Sequence, residues 1–246
     1  MNYQKTLMIT GAFGSLGEEI CRKFYKEYKL LLIDKKAPPE FVDDLNNDGG
    51  DIKIITADLV DPNSIKSIGK YISNRDCIIQ GVILAAGTIC FKSFHNITVE
   101  EWKETIEVNL TSNFLICKEV VPFLIKQGFG HIVLIGSVLG KVACYDLFAY
   151  SVSKAALIHF TKNLALDLLD YNVNVNCICP GFMESEMFQN VLKSETLNRK
   201  NWFHLLGGLP KRTIQKRDIS ELIDYLINQE AMTGEEIILD GGYSIR

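Results

Sequence analysis

Thr6-Leu7-Met8-Ile9-Thr10-Gly11-Ala12-Phe13-Gly14-Ser15-Leu16-Gly17 carries an apolar run straight into a glycine turn. An apolar run ends at Thr10, glycines follow at every third position, and a helical pattern near 15–27 begins. Glycine has no Cβ, so such a turn folds tightly and lets the backbone approach a phosphate group. The helix start behind it offers unpaired N–H groups and a partial positive charge. A glycine triplet alone is a weak signal; lodged between a first strand and a first helix it is a stronger one.

Outward from this turn the pattern repeats. Thr6–Thr10, Lys29–Ile33, Ile52–Thr56, Ile78–Ala85, His131–Ile135, Val173–Cys179 and Glu236–Leu239 read as strands. Most are apolar throughout, as parallel strands covered on both faces are. Helical patterns near 62–72, 99–125, 150–170 and 217–228 lie between them. Alternating strands and helices predict an α/β fold with one doubly wound, seven-stranded parallel sheet and helices on both faces. No repeat or linker divides the chain, so residues 1–246 are expected to form a single domain. Pro38-Pro39 and the Asn/Asp/Gly cluster at 43–51 are expected to mark a surface connection only.

Asp34 ends the second strand, 17 residues beyond Gly17, where a carboxylate can accept both hydroxyls of an adenosine ribose. A 2′-phosphate there would meet a like charge, so the expected cofactor is NAD, with NADP disfavoured. Lys35 and Lys36 pull the other way, since a base beside the carboxylate can receive a phosphate. An exposed Asp-Lys-Lys turn without a ligand is the third reading.

The bulk composition sets limits on partners. Of the 246 residues, 47% are hydrophobic and 23% charged, enough apolar material for one large core. A net charge of -4 argues against nucleic acid, whose binding needs a surplus of Lys and Arg. Seven scattered cysteines without a CxxC pair read as reduced thiols, hence a cytoplasmic protein. The start of the sequence does not resemble a signal peptide, and no apolar stretch is expected to approach the roughly 18 residues of a membrane span. The four histidines show no ligand spacing, so no metal is expected.

Tyr150 and Lys154 lie four apart near the start of a helix and share one face. An ammonium beside a phenol favours the phenolate, and a helix N-terminus pushes the same way. The spacing itself is unspecific, because Tyr25 and Lys29 repeat it. Context separates the two: Ser137 ends a strand thirteen residues before Tyr150, whereas Ala12 stands at that distance from Tyr25. A serine hydroxyl there can hold a substrate oxygen.

Taken together, these residues resemble the short-chain dehydrogenase/reductase family, in its short single-domain branch, over nearly the whole chain. Thr10 through Gly17 is similar to the family's cofactor turn, Asp58-Leu59 to its adenine-contacting pair, and Ala86-Gly87 to the end of its fourth-strand motif. Asn109, Ser137, Tyr150 and Lys154 match its four catalytic residues. Asn176 through Pro180-Gly181 matches its sixth-strand signature, with Ser185 in place of the usual threonine, and Asp240-Gly241-Gly242 its closing motif.

The resemblance implies a Rossmann-type fold and reversible hydride transfer between NAD(H) and a small carbonyl or secondary alcohol. Tyr150 would exchange the proton and Ser137 would hold the oxygen. Lys154 would bind the nicotinamide ribose and lower the tyrosine pKa, and Asn109 would anchor a water relay. Gly11, Phe13, Ser15, Leu16, Gly17, Asp34, Asp58, Leu59, Ala86, Gly87, Pro180, Gly181, Met183 and Ser185 would bind cofactor. The segment around 183–213 would close over the substrate.

Two departures stand out. Ser15 occupies the turn's usual middle glycine position, giving a T-G-x-x-G-x-x-G spacing closer to the epimerase and dehydratase branch. Ala85-Ala86 stands where the family often has two asparagines. Alternative readings are an NADPH-dependent 3-oxoacyl carrier-protein reductase, an epimerase- or dehydratase-like enzyme, and a nucleotide-binding protein without turnover.

Three groups of residues stay open at this level. Helical stripes through Ile106, Leu110, Phe114, Cys117, Val121 and Leu124, and through Leu157, Phe160, Leu164 and Leu168, are wider than one sheet face needs. They fit an oligomer or a deep monomer core, and the family's habit of tetramers moves the expectation to a homo-oligomer, tetramer or dimer. Phe91, Phe94, His95, Ala143, Cys144, Tyr145 and Phe148 either form a partly apolar pocket mouth or simply pack. Cys177 and Cys179 share one side of a strand and read as core thiols.

Overall fold

The structure is a computed structural model that describes residues 5–73, 77–183 and 213–245. Seven strands form one parallel sheet: β1 (Lys5–Thr10), β2 (Lys29–Asp34), β3 (Ile52–Thr56), β4 (Ile78–Leu84), β5 (Gly130–Ile135), β6 (Val173–Pro180) and β7 (Glu236–Leu239). Their spatial order is β3-β2-β1-β4-β5-β6-β7. The helices are α1 (Ser15–Phe24), α2 (Pro39–Asn47), α3 (Pro62–Ser73), α4 (Val99–Ile106), α5 (Ser112–Gln127), α6 (Phe148–Leu168) and α7 (Lys216–Ile227).

Strand side chains alternate between two cores, which is why the strands read as apolar throughout. Met8, Leu31, Val82, Leu134 and Cys177 join a core beneath α3, α5 and α6. Leu7, Leu30, Ile83, Val133 and Ile178 join the other, beneath α1, α2 and α7. This is the doubly wound, Rossmann-type architecture expected. The order reverses at β1, flanked by β2 and β4, and such a switch point opens a crevice at the carboxyl ends of the strands.

The segment expected to be a plain surface connection contains α2. Pro39 stands in its first turn, where a missing N–H costs nothing, and Phe41, Val42 and Leu45 are buried. Burying three such side chains contributes about 1.5–3 kcal/mol each, which outweighs helix penalties of up to about 0.7 kcal/mol for each Asn or Asp.

The pattern near 99–125 is an unbroken helical run, Val99–Gln127, with a π-helical turn at Glu107–Thr111 in which the Ser112 N–H reaches the Glu107 carbonyl. By length and composition this run is long and apolar enough to cross a membrane, contrary to the expectation from the sequence. Here Ile116, Cys117, Val120 and Leu124 lie in the core beneath the sheet. All but the two ends of the 183–213 segment lies outside the described residues. Those ends are pinned together by a bridge between Met183 and Ile214, with the Ile214 N–H on the Phe182 carbonyl at 2.9 Å.

Candidate active site

A cleft of about 820 Å3 opens at the carboxyl ends of β1, β4, β5 and β6. At its floor Gly11 adopts φ +63°, and a Cβ there would stand 2.7 Å from the Ala86 Cα. A Cβ on Gly17 would fall 2.1 Å from the Gly11 carbonyl oxygen. Both positions therefore require glycine, whereas Ser15 opens α1 without strain. The departure at Ser15 leaves the turn intact: the Gly14 N–H reaches the Gly11 carbonyl at 3.1 Å, and the start of α1 borders the cleft. This cradle of close backbone and helix N-terminus fits a dinucleotide pyrophosphate.

Gly11, Phe13, Ser15, Leu16, Gly17, Asp34, Asp58, Leu59, Ala86, Gly87, Ser137, Tyr150, Lys154, Pro180, Gly181 and Met183 all line this one cleft. Ser185 lies outside the described residues. The Asp34 carboxylate accepts the Phe13 N–H at 3.0 Å and the Lys35 N–H at 2.7 Å, which fixes it at the cleft edge. The Lys35 ammonium turns instead to Asp58, at 3.2 Å.

Asn109 lies behind the cleft wall, fully buried in the π-helical turn. Its Oδ1 accepts the Thr88 N–H at 2.8 Å, and its Nδ2 donates to the Thr88 carbonyl at 2.9 Å and to Ser153 Oγ at 3.0 Å. The Ser153 hydroxyl donates to the Tyr150 carbonyl at 2.7 Å. The Asn109 side chain thus ties the segment after β4 to the start of α6. Thr88 was not singled out in the sequence, and its part is played by main-chain atoms that carry no side-chain signal.

Ser137 caps a short 3-10 turn after β5, its Oγ accepting the Leu139 N–H at 3.1 Å. Tyr150 stands in the first turn of α6, half-buried and packed against the apolar cluster of Val138, Leu139, Leu147, Phe182 and Tyr243. Burial pushes its phenol up, and the Ser137 hydroxyl works against that rise.

The expected lowering by Lys154 is not realised in this structure. The buried Lys154 Nζ donates to the Ile135 carbonyl at 2.7 Å and lies 5.7 Å from the centroid of the Tyr150 ring. Burial pushes Lys154 itself down to about 8, opposed by the thiols of Cys177 and Cys179.

Phe91 alone of the mouth aromatics lines the cleft. Phe94 and Phe148 are exposed and stack edge to face at 5.0 Å, and Tyr145 is exposed as well. Cys177 and Cys179 are buried core thiols, their sulfurs 3.9 Å apart beneath Gly136. Among the described residues no cluster of three metal-ligating side chains occurs.

The short chain dehydrogenase family model matches residues 5–196. The chain belongs to the short-chain dehydrogenase family, and it is an oxidoreductase of that family. Its sequence is 29% identical over 251 residues to the oxidoreductase UcpA of Escherichia coli, covering 98% of this chain and 95% of that one. It is 32% identical over 247 residues to the 3-oxoacyl-[acyl-carrier-protein] reductase FabG of Buchnera aphidicola, covering 97% of both. The solved structure of an actinorhodin polyketide ketoreductase with NADPH superposes with a TM-score of 0.89 at 25% identity, over 99% of this chain and 98% of that one. That relative carries the phosphorylated cofactor, the opposite of what Asp34 leads one to expect here.

Proposed function

We propose that this chain interconverts a small carbonyl compound and its secondary alcohol, with NAD(H) as hydride carrier. The observation that carries the reading is convergence: Ser137, Tyr150 and Lys154 line the same cleft as the glycine turn and Asp34. The bound dinucleotide supplies hydride exchange with the substrate carbon. In reduction, Tyr150 Oη gives its proton to the developing alkoxide, and burial keeps that phenol protonated at neutral pH. Ser137 Oγ donates a hydrogen bond to the same oxygen. Lys154 Nζ, on leaving the Ile135 carbonyl, stabilises the phenolate by charge, and oxidation runs the same steps backwards. Asn109 holds the Thr88 segment and α6 at a fixed separation, and so positions Tyr150.

Asp34 supports NAD over NADP, since the 2′-phosphate would approach a carboxylate while the nearest ammonium, Lys35, is engaged by Asp58. The 3-oxoacyl reductase relative and the NADPH-bound ketoreductase favour a second reading, NADPH-dependent reduction of an acyl ketone. A spectrophotometric screen of secondary alcohols, sugars and ketones with both cofactors separates the two. The expected kcat/KM is about tenfold or more higher with NADH, the size of one charge-assisted hydrogen bond. A reversed preference overturns the NAD assignment, and cofactor binding without any turnover overturns the enzyme.

We also read the whole chain as one domain around this sheet. The free thiols of all seven cysteines support a cytoplasmic setting. Exposed Phe114 on α5, and Val152 and Leu166 on α6, support a homo-oligomer built on these helices.

A further inference from the structure

At the opposite, amino-terminal end of the sheet a second cavity of about 210 Å3 lies beside the end of α7. Two buried side-chain atoms of residues that line it lack partners: Gln80 Oε1 and His131 Nδ1, on residues 5% and 7% exposed. Buried polar atoms are almost always paired, so two orphans lining one cavity need a cause. Gln80 Nε2 donates to the Ile227 carbonyl, which fixes the amide and leaves Oε1 as an acceptor. Asn174 Nδ2 is likewise committed, to the Glu230 carbonyl at 3.2 Å and the Gln229 carbonyl at 3.4 Å, so its Oδ1 is the atom left to accept.

The electrostatics lean negative, with Lys5 opposing at the edge. The Glu230 carboxylate lines the cavity, and the carboxyl end of α7 adds its negative dipole end. Burial pushes His131 down, which favours the neutral imidazole, and Lys5 at the exposed edge is the one ammonium among the lining residues. Gln229 Nε2 is a further orphan, a donor, but Gln229 does not line the cavity.

We propose that this cavity binds the ammonium head of a small primary amine, with Gln80 Oε1, Asn174 Oδ1 and Glu230 as acceptors. The site is separate from the nucleotide cleft and does not depend on the chemistry assigned there. An ammonium supplies three donors, matching an acceptor-lined cavity. A quaternary ammonium has the charge and no donor, and so makes the natural control.

The test is a histidine side-chain NMR titration of the full chain with methylammonium chloride, against tetramethylammonium chloride at equal ionic strength. The expected result is a saturable shift of the His131 resonance with methylammonium alone, weakened at least fivefold in Glu230→Gln. Glu230 is exposed, so this variant keeps the core intact. Lys5→Met is expected to bind as tightly or more tightly, since it removes the one like charge. No saturable shift, an equal response to both cations, or wild-type affinity in Glu230→Gln would overturn the proposal and leave the cavity to water.

Discussion

Two Tyr-x-x-x-Lys stretches occur in this chain, and the fold treats them differently. Tyr25 caps the end of α1, and Lys29 already belongs to β2, so the pair never shares a helix face. The Tyr25 hydroxyl donates to Asp48, and the Lys29 ammonium meets Asp51 at 2.7 Å, both at the surface. Tyr150 and Lys154 sit in the first two turns of one helix, over a cleft, with Ser137 beside the phenol and a main-chain carbonyl holding the ammonium. The spacing is identical; helix position and burial set one copy over the cleft and leave the other at the surface.

Substitutions can break the comparison at its two lysines. Lys154→Met is expected to lower kcat/KM on the order of 10^3-fold, within the range for losing a group that governs proton transfer. Lys29→Met, which loses only an exposed ion pair, should leave steady-state kinetics unchanged. Ser137→Ala removes the partner that Tyr25 lacks, and a drop on the order of 10^2-fold in kcat is expected. Comparable losses in both lysine variants would erase the distinction between the two stretches.

Acid–base linkage gives a further contrast. Burial pushes Lys154 down to about 8, against 10.5 for a lysine in water. Below about 8 both folded and unfolded chains carry the proton, and burying the ammonium costs stability. Between about 8 and 10.5 the unfolded chain alone retains it, so stability rises with pH in that window. Urea unfolding at pH 7.5 and pH 10 is expected to show wild type gaining on the order of 2 kcal/mol relative to Lys154→Met. The smallest effect belongs to Tyr25→Phe, where loss of an exposed hydrogen bond should cost under about 1 kcal/mol and leave turnover within about twofold.

What the sequence revealed follows the same division. Strand identity, the parallel sheet and the cleft were legible because glycine at 11 and 17, a carboxylate at 34 and buried strands at both faces are side-chain requirements. Helix α2 was hidden because its composition of Pro, Asn and Asp reads as a turn, while its helicity comes from three apolar side chains meeting the core. The π-helical turn around Asn109 and the Ile135 carbonyl that holds Lys154 are main-chain features, invisible to residue type. The same holds for the strand β4 irregularity opposite Thr6 and Leu7, which sets Gln80 beside the second cavity.

The central claim is that one cleft holds the dinucleotide through its backbone cradle and moves the substrate proton through Tyr150, as separable duties. Titration of NADH fluorescence into the Tyr150→Phe protein, with turnover measured on the same sample, tests this most directly. The expected result is a dissociation constant within about threefold of wild type and a kcat lower by about 10^3-fold or more. Full turnover, or loss of binding in step with loss of turnover, would contradict it.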